Sequence, residues 1–454
     1  YQELEGLKAK GADPEEKTEY LAEKVFWVPK EARWSTIQDS AKKPEIGKII
    51  DDAMIALERE NKSLKGVLPK DYARPKLDKG NLGSLVDEFS SIPIGGKKNQ
   101  SRDVMGRIYE YFLGEFASKE GKKGGQFYTP SSVVRLLVEM IQPTKGRLYE
   151  PCAGSGGMVV QSERFFGNHK GQLAFYGQES NETTWRLCKM NLAIRGIDAD
   201  IRWNPEGTFI FDEHKNLKAD FVLANPPFND DEWSNGQLNN DPRWKYGIPP
   251  EGNGNFAWVQ HIIHHLSSNG VTGFVLANNS LSSETSNEGE IRKKIIKSDL
   301  IDCIVALPDK LFFSTKIPAC LWFLRNKKSK NRKNEVLLID ARKLYTSSDR
   351  THNYLNQDAI RTITDTYHRW NSYKTTKKYK DILSFCKSCS IKKIKSKGYG
   401  LNPTAYVGAK KIKNTALLDK KMKDLLSELQ ENNRKGVKLD KQIIENLKDV
   451  GYEL

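Results

Sequence analysis

Apolar positions along this 454-residue chain change their spacing twice, and the changes divide it into three parts. Up to about residue 123 they recur three and four apart, the period of a helix with one buried face. In "IGKIIDDAMIALERE" Ile46, Ile49, Ile50, Met54 and Leu57 share one stripe, and "RDVMGRIYEYFLGEFA" repeats it with Ile108, Tyr111, Phe112 and Phe116. The run "GKKGG" (Gly121 to Gly125) breaks the pattern, so residues 1–123 are expected to form a helical N-terminal domain. From there to about Arg325, apolar runs of strand length alternate with helical patterns. The runs are "GRLYEP", "LAFYGQE", "ADFVLANPP", "GVTGFVLAN", "DCIVALP" and "ACLWFLRN"; between them lie "SSVVRLLVEMI", "TTWRLCKMNLAIRG", "FAWVQHIIHHL" and "GEIRKKIIKS". That alternation predicts an α/β fold with a doubly wound, mostly parallel sheet, whose ligands sit at the carboxyl ends of strands. With the basic stretch that follows, this part runs from 124 to 413. Leu418, Met422, Leu425 and Leu429, then Ile443, Ile444, Leu447 and Val450, return to helical spacing, with "ENNRKG" between them as a turn. Two short amphipathic helices over 414–454 need a partner for their apolar faces, either this chain or another subunit.

Composition narrows the class. Mean hydropathy is −0.63 and no run approaches the roughly 18 apolar residues of a membrane span, so no membrane partner is expected. No secretory n-region and h-region is seen at the start. Cysteine is sparse and scattered, which suits a reducing cytoplasm. Cys386 and Cys389 form a C-x-x-C without a second pair, and two plain thiols are the simpler reading. Lys and Arg exceed Asp and Glu by 73 to 58, a net charge of +15, which favours a polyanionic partner and first of all nucleic acid. The runs "RNKKSKNRK", "KTTKKYK" and "KKIKSK" carry much of it, though each alone reads as a solvated face.

Three places carry candidate chemistry. "YEPCAGSGG" closes a strand and opens a helix, with glycines at 154, 156 and 157 expected to let backbone approach a ligand. It fits neither G-x-G-x-x-G nor a P-loop, and Glu150 ahead of it suits a cation better than a phosphate. Glu179 ends "AFYGQE", placed to accept from the two hydroxyls of a ribose. Asn225-Pro226-Pro227-Phe228 then stops a strand with an amide, two prolines that cannot continue a ladder, and an aromatic ring. "QHIIHH" puts His261, His264 and His265 at metal-like spacing, but without the Glu of H-E-x-x-H packing is the better reading, and no metal is assigned.

Taken in order, "GGQFYTP", "YEPCAGSGGM", "YGQESN", "ANPPFN", "PPEGNGNFAWVQHIIHHL" and "KLFFSTKIPACLWFL" resemble a class I S-adenosylmethionine-dependent DNA methyltransferase acting on N6 of adenine. More closely the chain resembles the modification subunit of a type I restriction–modification system, over about Gly124 to Leu324, with the helical start and the ending "LKDVGYEL" in keeping. The resemblance implies S-adenosylmethionine as cofactor and a Rossmann-like fold. It implies that the Asn225 side chain and the Pro226 carbonyl accept hydrogen bonds from the target amine, that Pro227 holds them rigid, and that Phe228 stacks the flipped base. Phe127, Thr129 and Pro130 would lie against the methionine part of the cofactor with Glu150, Ala153 and Gly154, and Ser155 and Gly156 complete that loop. Glu179 would hold the ribose, and Phe312 or Phe313 is placed either as a second aromatic wall or in the core. One departure is Gly207 in "PEGTF", where the family carries an Asp that contacts the cofactor adenine; Asp212 or a backbone group is the expected stand-in.

The partners so implied are duplex DNA, a separate specificity subunit that chooses the site, a second modification subunit, and restriction subunits in the full complex, with the C-terminal helices as the candidate docking element. The rivals are an N4-cytosine DNA methyltransferase, more often marked by Ser-Pro-Pro-Tyr, a protein glutamine N5-methyltransferase, and an inactive DNA-binding scaffold. The target sequence and any preference for hemimethylated DNA are not written in this chain.

Overall fold

In a computed structural model of the chain, the described residues are 15–22, 25–91, 129–165, 172–234, 240–312, 318–347, 352–371, 378–409 and 415–449, with a few isolated positions between them. Phe127, Phe313 and the expected boundary at Gly121 to Gly125 lie outside them. Contacts divide the chain into two units, Tyr1–Val407 and Gly408–Leu454.

The first helical stripe folds as its spacing predicts. Helix α1 (Ile46–Glu60) buries Ile46, Ile50, Ala53 and Ala56. Against it packs α2 (Lys79–Ser91) through Leu82 and Val86, forming a small separate core. Asp51 is buried on α1 because its carboxylate accepts from the backbone N–H groups of Tyr72 and Ala73, both at 2.9 Å.

Beyond it α3 (Ser131–Ile141) leads into β1 (Gly146–Glu150), α4 (Gly157–Phe165), β2 (Leu173–Glu179), α5 (Glu182–Ile194), β3 (Ala199–Trp203) and the short α6 (Gly207–Ile210). Then come β4 (Ala219–Ala224), α7 (Asn255–His265), β5 (Leu266–Ala277), α8 (Glu288–Lys297), β6 (Ile301–Ala306), β7 (Ala319–Arg325) and β8 (Glu335–Asp340). A two-stranded ribbon of β9 (Thr346–Ser347) and β10 (Asn353–Tyr354) precedes α9 (Gln357–Asn371) and β11 (Cys386–Ser390).

Nine strands form one sheet in the order β11-β8-β6-β7-β5-β4-β1-β2-β3. Neighbours pair in parallel except where β7 meets β5 and β6 and where β11 meets β8. Because successive side chains point to opposite faces, each strand feeds two cores. Leu148, Leu223 and Val275 join α3, α4, α5 and α9 on one face, while Tyr149, Val222 and Phe274 join α7 and α8 on the other. The order reverses between β1 and β4, which places the crevice for a ligand at their carboxyl ends.

Three elements depart from the sequence reading. The sheet continues past Arg325 into β8 and β11. The C-x-x-C falls on β11, where an offset of three sends Cys386 into one core and Cys389 into the other, so the two thiols cannot share an ion. The tail is one helix, α10 (Thr415–Asp449), unbroken through "ENNRKG". Glu431 and Lys435 pair at 2.7 Å across that stretch, four residues apart, and no proline interrupts it. Among the described residues no helix is long and apolar enough to cross a membrane.

Candidate active site

After Glu150 the chain turns sharply into α4, and backbone bonds hold the turn. Ala153 N–H donates to the Gln178 carbonyl at 2.8 Å, Gly156 N–H to that of Ala153 at 2.9 Å, and Asn191 Nδ2 to that of Ser155 at 2.7 Å. Gly154 and Gly156 have φ of +53° and +79°, the left-handed region that glycine enters freely. At Gly156 a packing requirement accompanies the expected ligand role. A Cβ there would lie 2.9 Å from Cys188 Sγ and 3.5 Å from a Leu192 methyl, so this glycine lets the start of α4 press on α5. A Cβ on Gly157 would meet nothing within 4 Å.

Two carboxyls stand beside this loop at the ends of adjacent strands. Glu179 Oε2 accepts from Gly154 N–H and Oε1 from Asn181 N–H, both at 2.9 Å. Glu150 is 3% exposed and its Oε2 has no partner. Burial pushes the Glu150 carboxyl well above the usual carboxylate range, and the charge of Glu179 adds to it. Burial also raises Glu179, outweighing the backbone N–H groups that favour its charged form. An unpartnered buried carboxylate is costly, and a cation beside it would remove the cost.

Across the switch point, β4 ends at Asn225. Its Nδ2 donates to Thr129 Oγ1 at 2.9 Å, and its Oδ1 is buried with no partner. The amide is thus held by its nitrogen while its oxygen stays available, a role for Thr129 that the sequence did not show. Pro130, buried beside it, accepts from Val133 and Val134 N–H at the start of α3. Pro226 is buried and Phe228 half-buried, its ring meeting Phe312 edge-on at 5.8 Å between centroids. Phe312 belongs to the core and braces Phe228 from that side.

Gly207 has φ +75° at the first turn of α6, with only the Ser180 side chain near where a Cβ would stand. Asp212, the expected stand-in for the missing acid, is already engaged on both oxygens. Its Oδ2 takes His265 Nε2 at 2.9 Å and its Oδ1 the His214 N–H at 2.9 Å. Asp212, His261 and His265 bring ligand-capable atoms within 4.8 Å of one another. Arg243, however, donates to His261 Nδ1 at 3.2 Å, so the hydrogen of the neutral ring sits on Nε2, 3.3 Å from the Tyr149 hydroxyl. His261 then has no free lone pair, and burial holds it neutral by pushing its pKa well down. His264 is pushed down to about 4, again by burial first. The histidines form a packed polar cluster under β1.

Sequence reasoning also passed over Asn229, Asn253, Asn255 and Asn279, which gather next to the Asn225 loop. Their signal was position, since all four follow β4 or β5 or open α7.

Comparison with known proteins identifies the family. The family model for N-6 DNA methylase matches residues 100–415, and that for the HsdM N-terminal domain matches residues 1–89. The methylase subunit of the type I restriction enzyme HindI from Haemophilus influenzae is 44% identical, covering 94% of this chain and 100% of that protein. The MjaIX methylase subunit of Methanocaldococcus jannaschii is 40% identical over 95% of this chain and 78% of its own. A type I methyltransferase subunit from Streptococcus thermophilus shares the fold, with a TM-score of 0.73 at 24% identity over 85% of this chain and 82% of that one. The chain therefore belongs to the N-6 DNA methylase family, as a methylase subunit of a type I restriction–modification system.

Proposed function

We propose that this subunit transfers the methyl group of S-adenosylmethionine to N6 of a flipped adenine in duplex DNA, at a site chosen by a separate specificity subunit. The observation that carries this reading is Asn225, with Nδ2 pinned by Thr129 and Oδ1 buried and unpartnered at the end of β4. An exocyclic amine is a poor nucleophile because its lone pair is delocalised into the ring. Asn225 Oδ1 and the Pro226 carbonyl can each accept one of its N–H groups, drawing the nitrogen toward tetrahedral geometry and freeing the lone pair. Pro226 and Pro227 fix φ, so both acceptors are aimed before the base arrives. Phe228 offers a stacking face, which offsets part of the few kcal/mol, roughly, that flipping costs.

The residues at the β1 and β2 ends fit the cofactor. S-Adenosylmethionine supplies an activated methyl group on a sulfonium and carries cationic charge. Glu150, with its orphaned Oε2, would face that charge, and Glu179 keeps a lone pair on each oxygen for the ribose hydroxyls. Thr129, Pro130, Ala153, Gly154 and Ser155 would line the methionine end, with Gly156 holding the loop against α5. A net charge of +15 suits DNA, and six free cysteines suit a reducing cytoplasm. Two copies of this chain with one specificity subunit, joined by restriction subunits, make the working assembly in this reading.

The test is chemical. The protein and its specificity partner are given labelled S-adenosylmethionine and duplex DNA, and the DNA is digested to nucleosides. Label on N6 of deoxyadenosine is expected; label on cytosine, or on protein alone, overturns the reading. Asn225→Ala should lower transfer at least about 10²-fold while cofactor affinity holds. Transfer retained in that variant would remove Asn225 from the mechanism.

A further inference from the structure

The prolines leave a question open. They fix φ at 226 and 227, but Phe228 and the residue after it have no ladder to hold them. The chain has left the sheet there and rejoins it only at β5, after α7, so whatever fixes its exit also sets the aim of Phe228 and of the Pro226 carbonyl.

Asn229 is the exit residue, in the left-handed region at φ +53°. Its Oδ1 receives three side-chain amides: Asn255 Nδ2 at 2.8 Å, Asn279 Nδ2 at 3.2 Å and Asn253 Nδ2 at 3.3 Å. Its own N–H donates to Asn255 Oδ1 at 3.1 Å, so Asn229 and Asn255 hold each other in a closed pair of bonds. Asn255 is fully buried at the start of α7. Its N–H donates to Asn253 Oδ1 at 3.0 Å, and Gly254 N–H donates to the Asp230 carbonyl at 2.7 Å. Asn279 reaches in from the end of β5. Three amides from two separate segments, residues 253–255 and the end of β5, thus converge on one carbonyl oxygen two lone pairs wide. That is more donors than it needs for satisfaction alone.

We infer that Asn229 is a positioning residue for methyl transfer, its side-chain oxygen clamped by Asn253, Asn255 and Asn279 so that the Asn225–Phe228 loop is held at both ends. Thr129 holds the upstream end through Asn225, and the asparagine clamp holds the downstream end. The inference rests on the function proposed above, and it assigns the clamp to the rate of transfer and not to cofactor binding.

Two variants separate the acceptor from the backbone. Asn229→Gly keeps the left-handed φ but removes the oxygen, whereas Asn229→Asp keeps an acceptor for all three amides. Both are compared with the wild-type protein and its specificity partner in the nucleoside assay, with kcat, KM for S-adenosylmethionine and thermal unfolding recorded. Asn229→Gly should lower kcat about 10- to 100-fold with KM for the cofactor unchanged, and Asn229→Asp should recover most of the rate. If Asn229→Gly does not fold, Asn279→Ala, which removes one exposed donor, should lower kcat in the same direction. Wild-type rates in the folded Gly variant, or in Asn279→Ala where only that one folds, overturn the clamp. So do equal losses in Gly and Asp. Wild-type protein that does not label adenine overturns the function itself, an outcome visible in the same experiment before any variant is read.

Discussion

Glu150 meets two penalties at once: it is cut off from water, and it faces a second carboxyl at the end of the next strand. Both favour the protonated form, so the folded free protein holds this proton to a pH well above the ordinary value near 4.5. The linkage sign follows. The stability this proton brings is fully present below the unfolded pKa and is lost as pH rises through the folded one. A cationic cofactor needs the carboxylate, so its binding releases the proton. S-Adenosylmethionine affinity should therefore fall as pH is lowered below the folded pKa, by up to about tenfold per pH unit. Calorimetry between about pH 8 and about pH 6 checks this, in buffers of different ionisation enthalpy to count the proton. Glu150→Gln should flatten the profile; parallel profiles for the two proteins would sink the assignment. Glu150, Glu179 and Asn225 were legible as single letters because each ends an apolar run. Thr129's bond to Asn225 was not, since it joins residues 96 apart in sequence.

At the scale of elements, the apolar runs marked β1, β2 and β4 to β7, where strands deep in the sheet need near-continuous apolar sequence, but not the edge strand β3, whose "ADIRW" buries only Ile201. β11 was hidden because "CKSCS" has no such run; it is a strand through its five-residue antiparallel pairing with β8. "ENNRKG" looked like a turn because Asn and Gly are weak helix formers. Their cost of at most about 1 kcal/mol each is small beside a long helix on either side. Gly156 carries a requirement of the same kind, where a residue of the ligand loop also serves helix packing. Gly156→Ala should destabilise the fold by about 1–3 kcal/mol, from the left-handed φ and the contact with Cys188. Gly157→Ala, in open space one residue later, should change stability by less than about 0.5 kcal/mol. Urea unfolding measures both, and equal losses would show that the contact with α5 is not what sets the requirement.

On the scale of the whole molecule, the division at Val407 gives α10 a separate part to play. Its 35 residues span about 52 Å. Met422, Leu425, Leu429, Leu439 and Ile443 are each more than half exposed and follow alternating steps of three and four through Asn432 and Gly436. That is the spacing of a coiled-coil seam, and a polar Asn432 within it is the kind of residue that fixes register at some cost in stability. A seam so exposed is expected to be covered in the assembly, and under the function proposed above the specificity subunit is the partner to test. Ending the chain after Lys413 should leave the unfolding of residues 1–407 unchanged while abolishing co-elution with the specificity subunit on size exclusion. The double substitution Leu425→Asp and Leu429→Asp should reproduce the loss with the helix kept, as circular dichroism would report. Two charges then replace two seam positions without shortening the chain, so a specificity subunit that still co-elutes must be docking elsewhere on the molecule.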